Sequence, residues 1–179
     1  MNLKWSHAVL NVGNLGKMLD FYTNVMGFTV SDRGPMGPPG APEIVFMSQT
    51  SDEHHQLAMV DTGQQSPTTS LNHFSFRVDS FDEVKEMSRR LKELDVELLP
   101  LSHGNTLSIY FSDPEKNGLE VFWDTPWHVD QPAGVLWDPA MSEAEALAHV
   151  AESFKDNPSF VLRGDSDKPF VNRNSQRDL

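Results

Sequence analysis

Ser102–Trp123 reads SHGNTLSIYFSDPEKNGLEVFW, and the pattern predicts two strands joined by a turn. Asp113-Pro114 and Asn117-Gly118 supply the turn chemistry, since proline fixes φ and Asn-Gly tolerates φ > 0. Leu107–Phe111 and Leu119–Trp123 are apolar, aromatic or β-branched, as a half-buried hairpin requires. Glu120 stands near the start of the second strand. A lone glutamate there is ordinarily a solvated strand end, but two other stretches supply partners for it.

The first is Trp5–Val12, WSHAVLNV, which alternates with Ala8, Leu10 and Val12 on one face and His7, Val9 and Asn11 on the other. Asn14 can cap a helix carrying Leu15, Met18, Leu19, Tyr22 and Val25 at helical spacing, with Gly27 at its end. Phe28–Ser31 reads as a strand and Gly34–Pro42 as a loop without regular structure. Glu43–Ser48 and His54–Val60 then form a hairpin around the turn QTSDE.

After a polar linker, Asp61–Ser70, the pattern restarts. Asn72–Val78, NHFSFRV, puts His73, Ser75 and Arg77 opposite Phe74, Phe76 and Val78. Ser80 and Glu83 make a capping box for a helix with Phe81, Val84, Met87, Leu91 and Leu94 inward. Val96–Leu101 and the hairpin complete the unit. A shift of 66 residues places His73 on His7 and Phe81 on Leu15 without a gap, so a β-α-β-β-β unit occurs twice. Each apolar strand face meets its helix, and the faces bearing histidine are left to line a shared cavity.

Downstream, Pro126–Ala140 is irregular, and Ser142 with Glu145 caps a short helix whose inward face is Ala144, Leu147, Ala151 and Phe154. Phe160-Val161 and Phe170-Val171 are candidates to dock on the domain. The boundaries expected are 4–125 for the duplicated domain, with modules 4–62 and 70–125, and 126–179 for a C-terminal extension.

Composition narrows function. A net charge of −12 opposes binding to the phosphates of nucleic acid, and no Lys/Arg cluster overrides it. No apolar run approaches the ~20 residues of a membrane span, and MNLKWSHAV lacks a basic region followed by an apolar core. A cytoplasmic location is the expectation. The absence of cysteine excludes disulfides, thiolate metal sites and a cysteine nucleophile.

His7, His73 and Glu120 all fall on faces turned from the helices. A strand histidine is more often a hydrogen-bonded core or surface residue than a ligand. Two in register across an internal repeat, with a carboxylate after a DP-x-x-NG turn, reverse that expectation. Two imidazoles and one carboxylate form the facial triad of non-haem iron, which leaves positions open for a chelating substrate and O2; Mn(II) accepts the same ligands.

HAVLNVGNLGKMLDFYTNVMGF and SIYFSDPEKNGLEVFW resemble the opening and closing segments of the vicinal oxygen chelate superfamily. That superfamily includes glyoxalases, bleomycin-binding proteins, fosfomycin-resistance enzymes and type I extradiol dioxygenases. The resemblance implies an α+β fold of paired βαβββ modules, an open, barrel-like mixed sheet around a metal site, with His7, His73 and Glu120 as ligands. The start of HHQLAMV is similar to the His-His start of the equivalent strand in one-domain extradiol dioxygenases. It implies that His55 is the acid/base histidine and that His54 contacts substrate. HGNTLSIY resembles that family's His-x-Asn and Ser-x-Tyr stretch, two residues shorter than in two-domain members. By that resemblance His103 and Tyr110 are catalytic and Asn105 binds substrate.

The expected activity is Fe(II)-dependent extradiol cleavage of a catechol-type aromatic with O2, a step of aromatic compound catabolism. A homo-oligomer is compatible with the sequence, and the modules can pair within one chain or between two. Two alternatives are a glyoxalase-like isomerase or lyase and a non-catalytic drug-binding protein of the same fold. A glyoxalase needs a fourth ligand where this chain has Gln56, with Glu53 earlier in the turn. A fosfomycin-resistance enzyme needs cationic phosphonate-binding groups, and Arg77 is the one obvious inward cation.

Overall fold

A computed structural model describes residues 5–64 and 71–163. The second part of the linker and Phe170-Val171 lie outside the described residues. The first module runs β1 (Ala8–Val12), α1 (Leu15–Asp20), β2 (Thr29–Pro35), β3 (Glu43–Ser48) and β4 (Leu57–Asp61). The second runs β5 (His73–Arg77), α2 (Phe81–Glu93), β6 (Leu99–Ser102), β7 (Thr106–Ser112) and β8 (Gly118–Asp124). The extension adds β9 (Trp127–His128), β10 (Val135–Leu136), α3 (Glu143–Phe154) and β11 (Val161–Leu162).

The duplication is visible in strand order. One open sheet is β1-β4-β3-β2, and another is β10-β6-β7-β8-β5. In each module the first strand lies beside the fourth. In the first module that pairing is parallel, with Ala8 opposite Leu57 and Val12 opposite Asp61. The remaining pairs are antiparallel hairpin neighbours. Among the described residues no helix is long and apolar enough to cross a membrane.

Backbone proximity divides the chain into two units. One comprises Met1–Ser75, Arg89–Glu97 and Phe111–Glu120, and the other Phe76–Ser88, Leu98–Tyr110 and Val121–Leu179. The first buries Val12, Met18, Tyr22, Val45, Met47 and Met59. It also holds the turn after β7, built on Asp113, which is 2% exposed. Asp113 Oδ1 accepts from the N–H groups of Glu115 (2.8 Å) and Asn117 (2.9 Å). Its Oδ2 accepts from Asn117 Nδ2 (2.8 Å) and from the Tyr22 hydroxyl (3.1 Å). Glu115 then accepts from Gly13 N (2.9 Å) and Asn14 N (2.7 Å) at the start of α1, where the helix dipole favours an anion. Asn14 caps the helix by accepting from Lys17 N at 2.9 Å.

The second unit is packed on Phe81, Val84, Leu107, Ile109, Trp137 and Val150. Trp137 Nε1 donates to the Ser108 carbonyl at 2.9 Å. Phe160 stacks on Trp127, with centroids 5.2 Å apart, beside the β9–β11 pairing.

Several elements depart from the sequence pattern, each for a local reason. Phe21–Val25 is a π-helical turn continuing α1; the wider turn buries the adjacent pair Phe21 and Tyr22 together. β2 extends into the expected loop as far as Pro35, which pairs with Glu43 at the strand end. There the missing proline N–H costs no ladder bond, and Arg33 clamps Glu43 through two bonds of 2.8 and 2.9 Å. His54–Gln56 precede β4 instead of opening it. The left-handed residue of the Asp113 turn is Lys116 (φ 69°), not Asn117 or Gly118. Leu94 is 55% exposed because α2 ends at Glu93 and Asp95 (φ 56°) reverses the chain. On α3 the buried stripe is Ala146, Val150 and Phe154 at i, i+4, which leaves Ala144 outside. The stretch expected to be irregular contains the two short strands β9 and β10.

Asp113→Ala strips four donors of their acceptor, two of them backbone groups, and is expected to cost about 3 kcal/mol in urea unfolding. Burial, reinforced by the Asp113 charge, holds the Tyr22 phenol far above its ordinary pKa. An unfolded tyrosine ionises near pH ~10, so this contribution is full below that pH and is lost as pH rises above it. Tyr22→Phe is expected to remove that alkaline loss, read as unfolding midpoints between pH 8 and 11 (roughly one unit below to one above the tyrosine value).

Candidate metal and substrate site

Three clusters hold the residues singled out from the sequence. The first is His73 with Glu120. Gly118, which opens β8, lies so close to β5 that an added Cβ would collide with the Asn72 carbonyl and crowd His73 Cβ. Only glycine permits that approach, and Glu120 follows two residues later on the same strand face. Glu120 is 7% exposed, so its charge needs compensation. Ser75 Oγ donates to Oε2, and His73 Nε2 lies 3.5 Å from the same oxygen.

The His73 ring is oriented by its sequence neighbour. Nδ1 donates to Asn72 Oδ1 at 2.6 Å, which commits the proton of the neutral ring to that nitrogen. Nε2 therefore presents a lone pair towards a buried carboxylate oxygen. A cation between the two, either a proton or a metal ion, would satisfy both. The separation lets one ion bond both at about 2.1 Å, and an N/O donor pair suits Fe(II) or Mn(II). The residues fit a divalent metal.

The second cluster holds His7, His54 and His55. The His7 and His55 rings lie 4.3 Å apart, and Phe46 packs 4.9 Å from His55. His54 Nδ1 and His55 Nδ1 are 2.9 Å apart and share one proton, while His54 Nε2 lies 3.9 Å from Asp32 Oδ2. Loss of solvation lowers the His55 pKa, and the neighbouring His7 and His54 lower it further. His7 precedes β1, exposed, with Nδ1 3.0 Å from Ser6 Oγ. The structure thus pairs His73 with Glu120 and places His7 beside His55. Among the described residues no three His, Cys, Asp or Glu side chains are gathered to hold an ion.

The third cluster lies in the second unit. Tyr110 OH and His103 Nε2 are 2.9 Å apart, and His103 Nδ1 is 2.7 Å from the Ala133 carbonyl. Asn105 Oδ1 accepts weakly from Gln131 Nε2 at 3.4 Å. The sequence reading missed Asn72, Ser75 and Gln131. Ser75 was legible, one strand repeat from His73 on the same face; Gln131 sits in aperiodic sequence and gave no signal.

Residues 4–121 match the Glyoxalase/Bleomycin resistance protein/Dioxygenase superfamily. The chain belongs to this superfamily. Biphenyl-2,3-diol 1,2-dioxygenase 2 of Rhodococcus globerulus is 24% identical over 157 residues, covering 77% of this chain and 78% of that protein. A lactoylglutathione lyase of Neisseria meningitidis is 27% identical over 119 residues, covering 64% and 86%. Among solved structures, the Mn(II) and sulfate complex of the fosfomycin resistance protein FosX from Listeria monocytogenes superposes with a TM-score of 0.57. It is 24% identical and covers 70% of this chain and 95% of its own. The last similarity establishes the glyoxalase-type fold alone.

Within this superfamily domain the His55 imidazole is expected to titrate below the ordinary histidine value of about 6.5 in metal-free protein. In two-dimensional NMR titrations, His54→Asn should move it upward by removing one neighbouring charge. An unshifted His55 in the intact protein would contradict the packing described.

Proposed function

We propose that the chain is an Fe(II)-dependent extradiol dioxygenase that cleaves a catechol-type aromatic with O2 in the cytoplasm, with Mn(II) as an alternative ion. The observation that carries the reading is the His73–Glu120 pair, with the imidazole Nε2 3.5 Å from an oxygen of a buried carboxylate. Similarity to a biphenyl-diol dioxygenase over most of both chains supports the substrate class.

In this reading His73, Glu120 and His7 bind the ion. Asn72 orients His73, and Ser75 holds one Glu120 oxygen and limits carboxylate rotation. His7 adjoins β1, an edge strand of its sheet, beside the exposed Trp5 and Val9. A second copy docked along that edge is the route we propose for His7 to join the pair, which makes the enzyme a homo-oligomer. The bound ion would supply a common template for diol and O2 and Lewis-acid stabilisation of developing oxyanions.

The remaining steps belong to side chains. His55, its pKa held down, is neutral at pH 7 (within the range where imidazoles switch) and takes a proton from a substrate hydroxyl at an open ring nitrogen. It returns the proton when the ring opens, the two-way role expected of an imidazole. His54 hands a proton between His55 and Asp32 and contacts substrate. Tyr110 and His103 serve a substrate oxygen, and Asn105 binds substrate beside them.

A glyoxalase-like reaction is the second reading, favoured by the lactoylglutathione lyase match. Against it, Gln56 at the fourth-ligand position is an amide whose oxygen already accepts from Gln49 N at 3.0 Å.

Anaerobic Fe(II) loading followed by oxygen uptake with a panel of catechols tests the proposal. The intact protein should consume O2; Glu120→Gln and His73→Ala should lose iron, and His55→Ala should keep iron yet lose at least about 100-fold in turnover. Light scattering should report a dimer or larger. Absent uptake, together with Zn(II) or Ni(II) binding and isomerase activity, transfers the assignment to the second reading.

A further inference from the structure

The extension carries a device that neither module contains. His103 sits between two partners that together decide where its proton lies. A carbonyl oxygen only accepts, so the contact of Nδ1 with the Ala133 carbonyl at 2.7 Å places the proton of the neutral ring on Nδ1. Nε2, 2.9 Å from the Tyr110 oxygen, is then the acceptor, and the phenol donates to it.

The Ala133 carbonyl is held in register by one side chain. Gln131 Oε1 accepts from Ala133 N at 3.0 Å, and Gln131 Nε2 donates to the His103 carbonyl at 2.8 Å. The two ends of a single amide therefore bind the segment that supplies the acceptor and the residue that uses it. The opposite side of the His103 turn is fixed too. Gly104 adopts φ 80°, and an added Cβ there would collide with Val129 of the extension. Thr125 Oγ1 donates to its carbonyl at 2.6 Å. A turn held from both sides can present only one ring orientation.

We propose that Gln131 is a positioning residue for proton transfer through Tyr110 and His103, acting as a bracket that keeps the Ala133 carbonyl on Nδ1. The proposal rests on the assignment of that pair to the substrate in the dioxygenase reading. The transfer balances within the pair: the Tyr110 O–H bond breaks as the Nε2–H bond forms, and the phenolic oxygen takes a proton from a substrate hydroxyl. The products are a substrate oxyanion and an imidazolium whose Nδ1–H remains on the Ala133 carbonyl. Reversal returns the proton when the product needs it. Without the bracket, His103 is free to exchange tautomers, and the form protonated on Nε2 cannot accept from Tyr110.

Long-range 1H–15N correlation spectra of metal-free protein, taken above the histidine titration range, report the tautomer directly. The intact protein should show Nδ1 protonated and Nε2 bare. In Gln131→Ala the two His103 nitrogen shifts should converge as tautomers mix, and kcat of the iron-loaded enzyme should fall about tenfold with KM within about twofold. In a Tyr110→Phe background the same substitution should cost nothing further, since the two residues act in one path. Gln131→Glu, which keeps the acceptor for Ala133 N but loses the donor to His103, covers the case in which the alanine variant does not fold. A single Nδ1-protonated His103 in Gln131→Ala overturns the proposal, as does an undiminished effect in the Tyr110→Phe background. Should no catechol be turned over, the dioxygenase reading fails by itself and the nitrogen spectra still decide the bracket.

Discussion

One buried carboxylate organises the unit that carries His73 and Glu120. Asp113 accepts four hydrogen bonds, three closing its own turn and one from Tyr22 on the π-helical turn after α1. A charge so deeply buried is tolerable only when its lone pairs are filled, so the turn has little freedom to drift from the helix. Glu115 adds a second tie by accepting from Gly13 N and Asn14 N just before α1. β8 begins three residues later. The start of that strand, and the place of Glu120 on it, follow from where Asp113 is anchored.

Glu120 poses the opposite problem. Its described partners near Oε2 are a hydroxyl donor and an imidazole nitrogen whose proton is committed elsewhere. Asp113 is satisfied by four protein donors, whereas Glu120 Oε2 has one hydroxyl donor and an imidazole nitrogen 3.5 Å away. Folding places both carboxylates in one hairpin, Asp113 among four donors and Glu120 beside Ser75 and His73. Exposure does not separate the two, since both residues are buried; their hydrogen-bond partners do.

The repeat was legible because strand alternation and helix spacing leave strong periodic marks, whereas the parallel pairing of β1 with β4 was not read from it. His73, Glu120, and the capping residues Asn14 and Ser142 were legible for the same reason: each stands at a fixed offset from a periodic element. What the sequence concealed depends on contacts distant along the chain. The π-helical turn reflects the burial of Phe21 beside Tyr22, which a straight helix cannot match. Gly118 looked like turn chemistry, yet its need for a missing side chain comes from β5. The grouping of His7 with His55 instead of with His73 is likewise a packing outcome, set by the parallel placement of β1 against β4 and invisible to a pattern of faces. Gln131 lies where no period exists, and its partners His103 and Ala133 lie on both sides of it along the chain.

The two modules differ in the strand that lies beside the first. In the first module Ala8 N donates to the Gln56 carbonyl at 3.2 Å, so β4 begins beside His7. Its next four residues, Leu57, Ala58, Met59 and Val60, are all buried and apolar. In the second module the strand beside His73 carries Glu120 instead. A second carboxylate among Ala58 and Met59, both fully buried, would have to be desolvated without the serine and histidine that Glu120 possesses. That cost accounts for the apolar run in β4.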